Sequence, residues 1–162
     1  MKEPDNKNVI DHKLQIYSRH LPHWRLTGKL YFITFRIVHG VLSCEEQRLV
    51  LEHIKQGNNN FYTLYAVMVM PDHVNLLIMP KENYSISRIM KGIKGVSARK
   101  INMKRKSSGS IWQNEFYDRI IRNYDELYEK LNYILLNPVK YELTENPLDY
   151  HGWYFNDSIE IL

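Results

Sequence analysis

The order of apolar runs, capping signals and turn signals along the chain reads β-α-β-β-α-β-α, and it predicts an α+β fold. The run from Lys29 to Val38 is dense in β-branched and aromatic side chains, which predicts a strand with little solvent on either face. Two apolar runs meet at Pro71-Asp72, a turn signal that predicts an antiparallel pair. Ser43 and Asn123 are each followed three residues later by Glu, the spacing that satisfies the first free amides of a helix. Together these give the split βαβ or ferredoxin-like arrangement: an antiparallel sheet, helices on one face and one further C-terminal helix.

Taken in order, residues 1–15 are polar and are expected to form a tail outside the core, with 16–162 as a single folded unit. After the first strand, Leu49, Val50 and Ile54 give the helix from Ser43 its apolar stripe, and Gly57 with three following Asn residues ends it. Strands are expected over Phe61 to Met70 and His73 to Met79. Ile86, Ile89, Met90, Ile93, Val96 and Ile101 recur at helical spacing, so a helix is expected from Ser85 to about Lys104. Ser107-Ser108-Gly109-Ser110 breaks the chain before a fourth strand at Phe116 to Arg122. The last helix begins after Asn123 and is expected to run to about Leu136, stopped by Pro138.

The chain has 162 residues, 44% hydrophobic and 25% charged, which excludes wholesale disorder and low-complexity architectures. Its one cysteine, Cys44, can form neither an intramolecular disulfide nor a cysteine zinc cluster, as expected of a protein of the reducing cytoplasm. Neither a signal peptide nor an apolar membrane span is expected. The net charge of +4 is unevenly placed. Arg88, Lys91, Lys94, Arg99, Lys100, Lys104, Arg105 and Lys106 occur without an intervening acid, while the rest of the chain holds 14 basic against 18 acidic residues. A concentrated positive field of this kind attracts phosphate backbones. Its structural counterpart is a solvated helix face, which would ordinarily carry acids four residues from its bases.

Two short patterns carry chemistry. His73 and Asn75 are two apart on a strand and leave one face of the sheet, so an imidazole nitrogen and an amide oxygen can converge on a cation. Tyr133 and Asn137 are one helical turn apart. At 100° per residue they lie off the stripe formed by Leu127, Leu131, Ile134 and Leu135, placing a phenol beside an amide. By themselves, a histidine at a strand start and one of 12 tyrosines are ordinary structural residues. Trp24, Trp112 and several tyrosines offer surfaces for stacking unpaired bases, and Arg19, His20 and His23 form a basic stretch before the first strand.

An ordered series of motifs sets these residues in context. Leu21-Pro22-His23-Trp24, Tyr31-Phe32-Ile33-Thr34-Phe35-Arg36, Val69-Met70-Pro71-Asp72-His73-Val74-Asn75-Leu76-Leu77, Lys94 to Asn102, Ile111-Trp112-Gln113 and Tyr133-Ile134-Leu135-Leu136-Asn137-Pro138 follow one another. Over roughly residues 18–155 the chain resembles the REP-associated tyrosine transposases, within the HUH single-strand DNA transposases of the insertion-sequence 200 type. The resemblance implies that Tyr133 attacks a phosphodiester of single-stranded DNA, leaving a 5′-phosphotyrosine and a free 3′-hydroxyl. It also implies Mg²⁺ or Mn²⁺ held by His73, Asn75 and Asn137. Asn75 stands where the family pattern has its second histidine, and an amide oxygen suits a hard cation better than a softer transition metal.

The implied function is metal-dependent cleavage and rejoining of single-stranded DNA near hairpins, in DNA transposition. The alternative is a descendant that binds hairpin or single-stranded DNA without cutting it, and a small-molecule or protein-binding domain is the third class. DNA contacts are expected from Arg88, Lys91, Lys94, Arg99, Lys100, Lys104 and Arg105. The partner is single-stranded or REP-like hairpin DNA, with the protein a monomer or homodimer. Tyr117 and Tyr124 compete for the nucleophile's role but lack an amide one turn onward in the matching motif.

Overall fold

The computed structural model describes residues 10–12 and 28–157. The expected stretch of Arg19, His20, His23 and Trp24 lies outside the described residues. Strand β1 (Tyr31–Arg36) is followed by helix α1 (Cys44–Gln56), then by β2 (Tyr62–Val69) and β3 (His73–Pro80). Helix α2 (Ile86–Arg105), β4 (Tyr117–Ile120), helix α3 (Tyr124–Lys140), a 3₁₀ turn (Pro147–Asp149) and β5 (Trp153–Phe155) complete the order. The sheet runs β4-β1-β3-β2-β5, and every pairing is antiparallel. Its first four strands have the split βαβ order that the sequence predicts.

Local signals account for the helix starts. Glu46 N–H donates to Ser43 Oγ at 3.2 Å and Ser43 N–H donates to the Glu46 carboxylate at 3.0 Å, the complete reciprocal cap. Asn123 accepts from Glu126 N–H at 2.8 Å in the same way for α3. The expected end of α3 is corrected: Pro138 lies inside the helix, which continues to Lys140. Proline removes only its own amide bond to the residue four earlier, and later bonds close the last turn. Tyr141 N–H donates to Asn137 O at 3.2 Å, and Leu143 N–H donates to Pro138 O at 2.9 Å.

The sheet separates two apolar layers. On one side Ile33, Phe35, Val74, Leu76 and Ile78 pack against Val50, Leu51 and Ile54 of α1 and Ile89, Met90 and Ile93 of α2. On the other, Phe32, Ala66, Met68 and Leu77 pack against Leu127, Leu131, Ile134 and Leu135 of α3. Side chains alternate across a strand, so the odd-numbered positions of β3 (His73, Asn75 and Leu77) face the α3 layer. Ile10 also belongs to that layer at 8% exposure. An isoleucine at that position of the expected tail is buried in one cluster with Leu30 and Phe32.

β5 is an addition to the expected order. It continues the sheet beyond β2, with Val67 opposite Tyr154, and Val69 N–H donates to Gly152 O at 2.9 Å. A Cβ on Gly152 would lie 2.1 Å from Val69 O. Gly152→Ala is therefore expected to destabilise the fold by about 2–3 kcal/mol, because a backbone oxygen must move, as a lower urea midpoint would show.

Candidate active site

His73 and Asn75 are held on β3, at the centre of the sheet, where Arg36 and Thr34 of β1 are their register partners. Both are buried, at 1% and 0% exposure. Tyr133 and Asn137 come from α3, which covers the same sheet face. Two ring contacts set the alignment of helix and strand. Tyr133 meets Phe32, the register partner of Leu77, edge-on at 6.3 Å, and Tyr141 meets His73 edge-on at 6.3 Å. Eight helical residues from Tyr133 to Tyr141 rise about 12 Å. Four strand residues from Leu77 back to His73 span about 13 Å. The helix thus lies over the sheet face that carries His73 and Asn75, with Asn137 midway between its two tyrosines.

Three buried side-chain atoms on this face lack a hydrogen-bond partner: His73 Nε2, Asn75 Nδ2 and Asn137 Oδ1. Those three residues are the metal ligands implied by the resemblance. His73 Nδ1 lies 2.6 Å from Asp72 Oδ1. A carboxylate only accepts, so Nδ1 donates to it, and in the neutral imidazole Nε2 keeps its lone pair for a further partner. Asn137 Oδ1 is a second lone-pair donor. Burying such groups unpaired costs free energy that a cation would remove. Among the described residues no three His, Cys, Asp or Glu side chains are grouped to hold a metal. The fit to a metal thus rests on an imidazole and an amide oxygen, a donor set that Mg²⁺ or Mn²⁺ accepts.

Two expectations change in detail. Asn137 lies off the apolar stripe by angle, yet it is buried at 2% exposure because α3 turns that face toward β3. Asn75 has its oxygen engaged by Thr34, whose Oγ1–H donates to Oδ1 at 2.6 Å. Its Nδ2 is the atom left without a partner. Tyr133 is exposed at 45%, so its phenol is open to a large substrate while its ring rests on Phe32.

Beside Tyr133 is a cleft of about 580 Å³ lined by Thr34, Arg36, Phe116, Tyr117, Lys130 and Gln113, among others. Lys130 Nζ sits 5.1 Å from the Phe32 ring centroid, one helical turn before Tyr133. These residues escape a reading based on charge runs, since Arg36 and Lys130 are isolated in sequence. Positions two apart on β1 (Thr34 and Arg36) and helical steps from Tyr133 (Lys130 and Tyr141) are the signals that point to them. Asp72, read from sequence as part of a turn, is the partner that orients His73.

The basic helix packs on the face of the sheet opposite the His73 side chain. α2 packs in the α1 layer, so the sheet separates its core-facing side from Tyr133. Its bases also find acids on α1. Arg105 donates through two nitrogens to Glu46 at 2.7 and 2.8 Å, and Lys104 pairs with Glu45. The hydrogen-bonded guanidinium of Arg105 holds the Glu46 carboxyl below its usual range. Acids supplied by another helix replace the ones missing from α2, which corrects the picture of an unpaired field at these two positions. Arg88, Lys91 and Arg99 remain exposed, and Lys100 is half-buried. Lys94 Nζ donates to Asn114 O at 3.0 Å, and burial lowers its pKa. Lys91 and Lys94 border a groove of about 360 Å³ with Trp112, Gln113 and Phe116. Gln113 and Phe116 also line the Tyr133 cleft, so the two depressions adjoin around the sheet's β4 side. The competing Tyr117 lines the cleft as well, edge-on to Phe32 at 6.3 Å.

Among the described residues no helix is long and apolar enough to cross a membrane. The chain is 26% identical over 153 residues to a Haemophilus influenzae protein named as a REP-associated tyrosine transposase, covering 82% of this chain and 83% of that one. It is 26% identical over 132 residues to the REP-associated tyrosine transposase of Escherichia coli K12, covering 79% and 71% of the two chains. The fold is similar to a solved REP-associated tyrosine transposase bound to a REP hairpin, with a TM-score of 0.62, 22% identity and coverage of 79% and 77%. The profile of the IS200-like transposases matches residues 38–134, more than half of the chain and a span that includes His73, Asn75 and Tyr133. The chain belongs to the IS200-like transposase family.

Proposed function

We propose that the protein cleaves and rejoins single-stranded DNA beside hairpins, with Tyr133 as the nucleophile and Mg²⁺ or Mn²⁺ as cofactor. The observation that carries this reading is the pair of buried lone pairs, His73 Nε2 on β3 and Asn137 Oδ1 on α3, the latter one helical turn from the exposed Tyr133. Those two atoms would hold the metal. Bound there, the ion would supply polarisation of the phosphate and so lower the barrier to attack by the phenol.

The remaining work falls to the chain's own groups. Tyr133 Oη attacks phosphorus, a tyrosyl O–P bond forms and the P–O3′ bond breaks. The phenol loses its proton, and the departing 3′-oxygen gains one to become a hydroxyl. Reversal by a 3′-hydroxyl of a second strand end rejoins DNA and releases Tyr133. Arg36 and Lys130, which both line the cleft, would hold the flanking phosphates. Lys91 and Lys94, with Arg88, Arg99 and Lys100, extend that attraction along α2, whereas Lys104 and Arg105 chiefly tie α2 to α1.

The test is incubation with hairpin oligonucleotides copied from inverted repeats around the coding region, with Mn²⁺ and then with EDTA. A protein–DNA band that survives denaturation, present with Mn²⁺ and absent with EDTA, is the expected result. Salt-sensitive binding without that band in Mn²⁺ would select the non-cutting descendant, for which the engagement of the Asn75 oxygen by Thr34 speaks. Asp72→Asn is expected to weaken Mn²⁺ binding about 10- to 100-fold without changing the ligand atoms, because the imidazole loses its orienting carboxylate; calorimetric titration measures it.

A further inference from the structure

We propose that Asn75 serves this site as a hydrogen-bond donor to a non-bridging oxygen of the DNA phosphate, rather than as a metal ligand. This rests on the phosphodiester chemistry proposed above and assigns a role to the residue that departs from the family pattern. Asn75 is wholly buried. Its Oδ1 is engaged by the Thr34 hydroxyl at 2.6 Å, and its Nδ2 has no partner. The amide nitrogen carries two N–H donors and no lone pair for a cation.

The polarity of the three orphaned atoms supports the same assignment. A site for a cation alone would gather acceptors, and a site for an anion alone would gather donors. Here two acceptors, His73 Nε2 and Asn137 Oδ1, accompany one donor, Asn75 Nδ2. That mixture complements a cation together with an anionic oxygen, which is what a phosphate brought to a metal presents. In this structure the Thr34 hydroxyl occupies Oδ1. With its hydroxyl donating to Oδ1, the amide can only direct N–H groups away from Thr34. The opposite orientation would require Thr34 to accept from Nδ2 and to send its own proton elsewhere. Thr34 is therefore a positioning residue, acting through Asn75.

The experiment uses the full chain carrying Tyr133→Phe, so that DNA stays intact, and compares it with the same chain carrying Asn75→Leu or Thr34→Val. Mn²⁺ binding without DNA is read from the electron paramagnetic resonance of free Mn²⁺. Binding of a fluorescein-labelled hairpin oligonucleotide is read by anisotropy at saturating Mn²⁺. Asn75→Leu is expected to leave the Mn²⁺ dissociation constant within about twofold while weakening DNA binding about tenfold, the loss of one charge-assisted hydrogen bond. Thr34→Val releases Oδ1 to turn inward, so Mn²⁺ binding should tighten about threefold or more as DNA binding weakens. A misfolded variant would not gain affinity for the ion. A tenfold loss of Mn²⁺ affinity in Asn75→Leu with DNA binding unchanged would overturn the proposal, as would unchanged constants in Thr34→Val. Failure of the parent to bind the oligonucleotide at low salt would remove the phosphodiester reading, and this proposal with it. The first two results remove the proposal alone.

Discussion

Tyr133→Phe is expected to reduce covalent capture of hairpin DNA by at least about a thousandfold, because no other group of α3 replaces the lost oxygen as nucleophile in the same place. The ring stays edge-on to Phe32 and the side chain is exposed at 45%, so stability should change by less than about 0.5 kcal/mol. DNA affinity should hold as well, since Arg36 and Lys130 on the cleft walls are untouched. A denaturing gel and an anisotropy titration on one preparation separate the two effects. Persistence of the covalent band would transfer the role to another tyrosine. Tyr117 in the same cleft and Tyr141 against His73 are the ones the geometry offers.

His73→Leu should have the opposite balance of effects. Loss of Nε2 removes one of two buried lone pairs available to the metal, and the Mn²⁺ dissociation constant should rise about 100-fold or more. Without metal, the variant should be at least as stable as the parent. An apolar side chain replaces a buried nitrogen that has no partner, and Asp72, half-exposed, can turn to water. The parent should gain melting temperature on adding Mn²⁺ and the variant should not, since a ligand stabilises only the state that binds it. Equal gains in both proteins would place the ion elsewhere.

Much of this architecture is legible in the residues because local signals and burial agree. Ser43 and Glu46 cap α1 as their spacing implies, and Pro71-Asp72 separates β2 from β3. What escapes a linear reading is decided by contacts between distant segments. Pro138 remains helical because its neighbours' amides close the last turn, which proline's local preference does not encode. β5 is three residues long, and its place in the sheet depends on the close approach of Gly152 to Val69. Acid-free α2 looks unpaired until Glu45 and Glu46 of α1 are seen beside Lys104 and Arg105.

The site divides in the same manner. Spacing alone puts His73 with Asn75 on one strand face and Tyr133 with Asn137 on one helix face. Bringing those faces together takes the packed structure, through Phe32 with Tyr133 and His73 with Tyr141. Residue type names Asn75 as a possible ligand. Its partner across the sheet, Thr34, decides which end of the amide meets the substrate.

The most direct test of the central claim is peptide mapping by mass spectrometry after reaction with a hairpin oligonucleotide and Mn²⁺, followed by nuclease digestion. The account predicts a residual nucleotide joined through its 5′-phosphate to the peptide containing Tyr133, with fragmentation placing the added mass on that residue. A nucleotide on Tyr117, Tyr124 or Tyr141, a link through a 3′-phosphate, or bound DNA with no adduct on any peptide would contradict it.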